Sequence, residues 1–590
     1  MNKIYKVIWS KARNCYVVVS EIAKTHSKGG TGISGVVRKA GSSALLTAAV
    51  TAMLMAPLGT AWADSIPTQN YDPANKQLEI GDEGVSTGGR NSVAVGIGAQ
   101  TSDSNTVAVG TDVVASGKGS VAIGNSGTTA SGSGSVAIGQ NVSATEGGTV
   151  AIGQNADASA AGAAAVGQDA TASEEGSAFG QKATATGREA TAIGSGAKAL
   201  QDGDASLGEE ATADGGNAVA AGNSAQATAG NAAAYGASSE ASATDSTALG
   251  SNSKATADDA LAAGSGARAT AEKAVAVGGG NEEDAAFATA EDAIAIGSGS
   301  RSTAESAVAI GGGGDKQGAV ADGKDAVALG TGTHAGSDRG VAIGGGNEGE
   351  GAATSGNAAI AIGSSSGDGK LGAIAAGDTS IVLGSEASSS EDAVDGVALG
   401  TGSAVNAAGG AAFCAGSSVA EGADNGAALG PNSSVTVANG VALGAGSVAD
   451  TEKEIDGYVP NPQKVTDPTT PTWKSTEAAV SIGDPANGIT RQITGVAAGT
   501  EDTDAANIAQ LKAAMTHYYS VNDNGVIQDN YNNDGATGNN ALAAGVSTTA
   551  TGDYATAMGP YAAANGNASI AIGSAKVDAT GALTTKQVAV

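Results

Sequence analysis

Covalent or metal chemistry in this chain would have to be built from very little. The 590 residues hold three histidines, at positions 26, 334 and 517, and two cysteines, Cys15 and Cys414. His334 and His517 are far apart in sequence, and the scarcity of cysteine leaves neither a zinc cluster nor a Cys/His nucleophile pair within reach. Ser, Asp and Glu are abundant, yet no Gly-x-Ser-x-Gly elbow occurs in a plausible strand-turn-helix context. Strings such as Gly96-Ile97-Gly98 are followed by no helix and so do not form a phosphate loop. Neither an enzyme nor a bound cofactor or metal is expected. What remains is recognition by an extended surface.

The elements that build such a surface are visible as a repeat over residues 91–450. V-A-V-G stands at Val93–Gly96 and Val107–Gly110, V-A-I-G at Val121–Gly124 and Val136–Gly139, and V-A-L-G at Val441–Gly444. The closing glycines between Gly96 and Gly278 are almost all 14 residues apart, and fixed self-similarity of this kind dictates the fold. Two short strands and two tight turns use up such a unit. Val and Ile alternate with Ala, so the branched residues share one face of the strand and Ala the other. Stacked coils pair every backbone group with the coil above and below at about 4.8 Å per step, which makes a parallel β-solenoid. A disordered Gly/Ala/Ser linker would not keep Val and Ile in register. Only 3 Phe, 3 Trp and 10 Tyr are available, so a roll this thin needs another surface to lie against, and self-association follows. A calcium-binding β-roll would need period 9 with Asp at a constant position, and the exposed rows do not form the Thr lattice of an ice-binding solenoid.

Residues 1–63 read as a targeting segment. Arg38 and Lys39 precede the apolar run at 44–55, and Ala61-Trp62-Ala63 offers a cleavage site between Ala63 and Asp64. The run is short for a bilayer span. Removal of this segment leaves 21 basic and 58 acidic groups, a surface that argues against nucleic acid or anionic lipid as partner. It also leaves Cys414 single, with no disulfide framework. Cys414 stands where a repeat glycine belongs, which reads as drift at a tolerant corner.

Residues 64–90 form a polar lead-in. Past Gly278 the glycine spacing alternates between 19 and 14 through Gly363. The long units carry Gly-rich inserts at 278–284, 311–315 and 344–350, which should leave the same edge of every second coil. Insertions on one face of a solenoid are frequent partner sites, so Asn281, Glu282, Asp315 and Asn347 are candidate contacts. Residues 451–478, rich in proline, interrupt the stack. In 479–518, Asp502 or Thr503 is placed to cap a helix whose seam is Ile508, Leu511, Met515 and Tyr518. A connector at 519–535 precedes a second run of repeats at 536–590.

The segment R-Q-I-T-G-V-A-A-G-T…T-D-A-A-N-I-A-Q-L (491–511), the repeats, and the basic extension Met1–Lys24 together resemble a trimeric autotransporter adhesin with YadA-like heads. The resemblance implies a homotrimer of left-handed parallel β-rolls joined by necks to coiled-coil stalks, exported to the cell surface or outer membrane of a Gram-negative bacterium. Neck residues would be Arg491, Asp504, Asn507, Ile508, Gln510 and Leu511. Implied partners are sister copies of the chain, host extracellular matrix or cell-surface proteins, or sister cells. Some heads bind collagen through N-S-V-A-x-G motifs, a form that Asn91, Ser92 and Val93 begin, although the same residues also belong to the structural repeat. The sequence departs from the family in having no long heptad stalk and no C-terminal strands for a barrel, and reads as a stretch of a longer gene. A passive spacer in a surface fibre is the alternative function.

Overall fold

The computed structural model describes residues 5–10, 15–20, 69–81, 84–281, 283–313, 317–347, 349–367, 369–459, 465–515 and 520–573. Ala63, Asp64, Glu282, Asp315, His517 and Tyr518 lie outside these. In the export segment, Tyr5–Ser10 and Cys15–Ser20 pair antiparallel. The chain divides into two compact units, residues 1–457 with 475–491, and 458–474 with 492–590.

The first unit is all-β, a solenoid of stacked coils. Each coil gives one longer strand, such as Val150–Ile152, and one two-residue strand, such as Asp157–Ala158. Each kind stacks on its own kind in parallel and in register: Val150, Ala151 and Ile152 face Ala164, Ala165 and Val166, and Asp157 and Ala158 face Thr171 and Ala172. Two parallel ladders result, joined coil by coil through tight corners.

The space between the ladders is filled mainly by small side chains, with valine at a few inward positions such as Val382, Val405, Val419 and Val435. Ala151, Ala158, Ala165 and Ala172 point inward and are fully buried, as are Thr149, Ala156, Ala163 and Ala170 just ahead of each strand. Alternation along the strand then turns the two residues beside each inward Ala of the longer strand outward. The repeat's large apolar residues are therefore on the outside of the roll and its alanines inside.

The corner after each longer strand explains the invariant glycine of the repeat. At Gly222 φ is +148°, and an added Cβ would lie 2.3 Å from the carbonyl oxygen of Gly236 in the next coil. Neither the dihedral nor the space allows a side chain. Cys414 occupies this corner with φ at 108°, so the expectation of a tolerant position is corrected. The backbone bond at the next corner, from Gly430 N to Phe413 O, is 3.2 Å, against 2.7 Å for Cys414 N to Leu399 O. The longer bond is the one that joins this corner to the following coil.

The acids in the turns have a conformational cause as well as a solvation one. Turn positions such as Asn141, Asn155, Asp169 and Asp259 all have φ between 55° and 58°, a region that Asn, Asp and Gly tolerate best. Several stack as ladders, with Asn141 Nδ2 donating to Asn155 Oδ1 at 3.0 Å and Asn155 Nδ2 to Asp169 Oδ1 at 2.8 Å.

The ladders begin ahead of Asn91. Gln77–Ile80 pairs parallel with Val93–Val95, while Gln69–Asp72 covers its free edge antiparallel. Glu79 takes the register position of an inward Ala, and its Oε1 accepts from Thr87 N at 2.9 Å and Thr87 Oγ1 at 2.7 Å. That carboxylate closes the open end. At the other end the chain returns after the proline-rich stretch, and Val480–Ser481 adds a last strand beside Val441–Leu443. The second unit contains a helix, Ile508–Ala514, and a shorter roll in which Leu542–Ala544, Thr556–Met558 and Ile570–Ile572 stack in parallel.

Cys414→Gly is expected to raise unfolding stability by about 1 kcal/mol by relieving this backbone strain, whereas Gly222→Ala should lower it by more. Denaturant unfolding of the two variants beside the parent checks both signs.

Outer faces of the roll and the neck as candidate sites

On the longer-strand face, the third residue of each repeat forms one row along the roll. It includes Phe179, Ile193, Leu207, Tyr235, Leu249, Ile296, Ile310, Ile362, Phe413 and Leu443, all more than a third exposed in a single chain. Isolated exposed apolar residues are ordinary, but a continuous row is not, and it makes this face a candidate contact surface.

The inserts leave the corner that follows this face. Each is closed by a backbone bond from the residue before the next short strand: Ala286 N to Gly278 O at 3.1 Å, Ala319 N to Gly311 O at 3.0 Å, and Ala352 N to Gly344 O at 2.9 Å. A fourth insert, closed by Ala373 N to Gly363 O at 3.1 Å, sits in the coil directly after the third; its irregular spacing hid it in the sequence. Asn281 is exposed, yet its side chain accepts from Glu283 N and Asp284 N and donates to Asp284 Oδ2, shaping its own loop. Asn347 is exposed in the third insert, and its carbonyl accepts from Glu350 N at 2.9 Å. Asn91 is an exposed turn residue with φ at 59° whose Nδ2 donates to Asn105 Oδ1 at 3.0 Å. Ser92 is fully buried inside the coil, bonded to Asp103 O. Val93 is half-buried at the start of the first Val-Ala-Val strand.

The short-strand face carries a group that motif reading passed over. Lys254, Arg268, Phe287, Arg301, Val320 and His334 are the outward first residues of successive short strands. The guanidinium carbons of Arg268 and Arg301 lie 5.4 and 5.1 Å from the Phe287 ring centre. The signal in the sequence is positional: these residues recur at one place in the coil, at spacings stretched by the inserts.

The neck elements are held by polar contacts. Arg491 closes the last coil, with Nη1 donating to Ser447 Oγ at 3.0 Å and to Ile482 O at 2.5 Å, and Nη2 donating to Ala445 O. The helix is capped by Asn507, which corrects the expected Asp502 or Thr503. Gln510 N donates to Asn507 Oδ1 at 3.0 Å and Asn507 N to Gln510 Oε1 at 3.1 Å, a reciprocal box. Gln510 also ties Gly499 through both its backbone groups. Asp504 is drawn away from capping because its carboxylate accepts from Thr500 N at 2.8 Å and Glu501 N at 3.1 Å; these bonds hold its pKa below the usual 3.8. Ile508, Leu511 and Met515 remain 60–65% exposed. A helix this short does not stand alone in water.

Comparison with known proteins separates this roll from other solenoids. Residues 1–52 match the extended signal peptide of the type V secretion system. The YadA head domain repeat matches at 88–112, 115–141, 173–197, 241–267, 255–281, 288–313, 321–347 and 550–575. Residues 492–549 match the coiled stalk of trimeric autotransporter adhesins. The chain belongs to the YadA-like trimeric autotransporter adhesins. It is 55% identical over 67 residues to the autotransporter adhesin BadA of Bartonella henselae, covering 11% of this chain and 2% of that protein. It is 64% identical over 39 residues to the trimeric autotransporter adhesin AtaA of Acinetobacter sp. (strain Tol 5), covering 7% of this chain and 1% of that protein. The chain thus spans a small fraction of the length of these relatives. As a YadA-like chain with this leader, it is exported to the cell surface of a Gram-negative bacterium.

Two measurements check the neck. Gln510→Ala should cost about 1 kcal/mol of local helix stability, read as faster amide exchange at 508–514 with the roll unchanged. Because Asp504 has a depressed folded pKa, its contribution is complete above the unfolded value near 3.8 and is lost as pH falls through the lower folded one. The Thr500 and Glu501 amide shifts should therefore titrate below that pH in the parent and stay flat in Asp504→Asn.

Proposed function

We propose that the chain is the head region of a surface adhesin that works as a homotrimer, attaching cells to host matrix or cell-surface proteins or to sister cells. It acts by binding rather than by catalysis. The observation that carries this reading is the uninterrupted apolar row on the longer-strand face. An alanine interior cannot stabilise so long a roll by itself, and three copies turned with these rows toward a common axis would supply the missing burial. At about 25 cal/mol per Å² of apolar area, repetition over many coils makes a small gain per coil large in sum. Ile508, Leu511 and Met515 would enter a narrow three-chain seam in the same way, with Arg491 closing the last coil of the roll and Asp504, Asn507 and Gln510 holding the turn ahead of the helix. Three identical heads multiply weak contacts into avidity.

Partner contact is assigned to the inserts at 279–350, including Asn281, Glu282, Asp315 and Asn347, because they leave one edge at regular intervals. The Asn91-Ser92-Val93 motif supports this role less well, since Ser92 is buried.

Sedimentation of the exported chain should give a single species of three subunits, and Leu249→Asp with Ile310→Asp should dissociate it. A well-folded lone parent subunit would contradict the trimer. Deleting the inserts should abolish adhesion to immobilised matrix proteins and to cells while leaving the sedimentation unchanged. Undiminished adhesion to every such target would remove the inserts from the reading, and a chain that adheres to none would be a spacer.

A further inference from the structure

Asparagine followed by glycine is a chemically fragile pair, because glycine puts no side chain in the way when its backbone nitrogen turns on the asparagine amide. The sequence has five such pairs, at Asn425, Asn439, Asn487, Asn524 and Asn565. Two of them share a tripeptide, Asp424-Asn425-Gly426 and Asp523-Asn524-Gly525. Their asparagines even share a backbone conformation, with φ at 58° and 57°. Their surroundings differ.

For the pair to react, the asparagine amide must swing onto the glycine nitrogen, and that nitrogen must give up its proton. Elsewhere both groups are occupied. Asn425 Nδ2 donates to Asn439 Oδ1 at 3.3 Å in a turn ladder, and Gly426 N to Ala423 O at 3.0 Å. Asn439 Nδ2 donates to Glu477 Oε2 at 3.0 Å, and Gly440 N to Val437 O at 3.2 Å. Asn487 Nδ2 donates to Asp484 Oδ2 at 2.6 Å, and Gly488 N to Pro485 O at 3.2 Å. Asn565 is held in the shorter roll, where its Oδ1 accepts from Thr551 Oγ1 at 3.0 Å.

Asn524 lies exposed in the connector, and its side-chain amide has no hydrogen bond among the described residues. The following nitrogen is bound differently as well. Gly525 N donates to a carboxylate, Asp523 Oδ1, at 2.9 Å. A carbonyl accepts such a bond without taking the proton; a carboxylate is a base already within reach of it.

We propose that Asn524-Gly525 is a self-modifying site, at which the chain deamidates itself with Asp523 as the base. Gly525 N forms a bond to Asn524 Cγ as its proton passes to the Asp523 carboxylate. The bond from Cγ to Nδ2 breaks, and the nitrogen leaves as ammonia with a proton returned through Asp523 or water. Water then opens the resulting succinimide ring at either carbonyl, giving aspartate or isoaspartate. No oxidant, reductant or cofactor is needed. The change is one-way: it adds a negative charge, and in the iso product it reroutes the backbone through the side chain. It falls between the helix at Ile508–Ala514 and the shorter roll. The inference does not depend on the adhesin reading.

The test holds the full exported chain in warm, mildly alkaline buffer and weighs its peptides over time, with fragmentation to locate each change. Replacing the amide by a hydroxyl adds one mass unit. Asn524 should convert at least tenfold faster than each of the other four asparagines. In denaturant, Asn425 and Asn524 should convert at comparable rates, because only the shared tripeptide then acts. The proposal fails if Asn524 is no faster than Asn425 in the folded chain, or if its lead survives in denaturant. Asp523→Asn keeps an acceptor for Gly525 N but removes the base, and should slow conversion at Asn524 several-fold; an unchanged rate would overturn the part given to the carboxylate. Gly525→Ala should slow it at least tenfold. Asn565, in the adjoining roll, reports folding of each variant: its slow rate stays unchanged where the roll is intact and rises where the roll is lost.

Discussion

The distance between two parallel ladders in a coil of 14 residues is the constraint on which this structure depends. Corners this short hold the ladders so close that Ala, Ser, Thr and Gly fill most of the interior, with Val the largest apolar residue fully buried there, as at Val382, Val405, Val419 and Val435. Each coil is also pinned to the next by backbone bonds at its corners, where a Cβ added to most of the corner glycines would meet a carbonyl of the neighbouring coil. The inner columns and the corner glycines are therefore under the same demand. Cys414 shows what happens when one of them is relaxed.

The large apolar side chains that give the repeat its appearance must consequently lie outside. An ordinary domain would hide Ile, Leu and Phe between its layers; here the layers are too close, and these side chains form a row along one face. In the proposed trimer, the burial that one chain does not provide comes from the other copies. The opposite face has no such demand on it and is free to vary, from Thr184 to Lys254 to Arg268 and Phe287, without disturbing the ladders. In the proposed trimer, assembly and recognition lie on different faces and corners, so partner contacts could change while the stack stays intact.

Much of the architecture was legible in the sequence because periodicity reports it directly. The spacing of the glycines predicts coil length, and the V-A-I alternation predicts which side chains share a face. Alternation alone does not say which face is inside; that depends on the width between the ladders, a tertiary property. The lead-in was hard to read because Leu78 and Ile80 form a coil without the V-A-x-G wording, and Glu79 replaces an inward Ala there to close the end. Asn507 was passed over as the helix cap because Asp502, Thr503 and Asp504 are equally good capping residues in isolation, and only the bonds from Thr500 and Glu501 to Asp504 decide between them. Arg268, Phe287 and Arg301 are separated by 19 and 14 positions and become neighbours only through the register that the first insert shifts.

The central claim is that the apolar row of the longer strands faces the same row of other copies while the short strands face solvent. Dipolar distances between spin labels in the exported chain test it most directly, with one label at Leu249→Cys and, in a separate sample, one at Thr303→Cys, each in a Cys414→Gly background. The account predicts short distances between copies for the label at 249 and clearly longer ones for the label at 303. Absence of any coupling between copies, or the reverse order of the two distances, would contradict it.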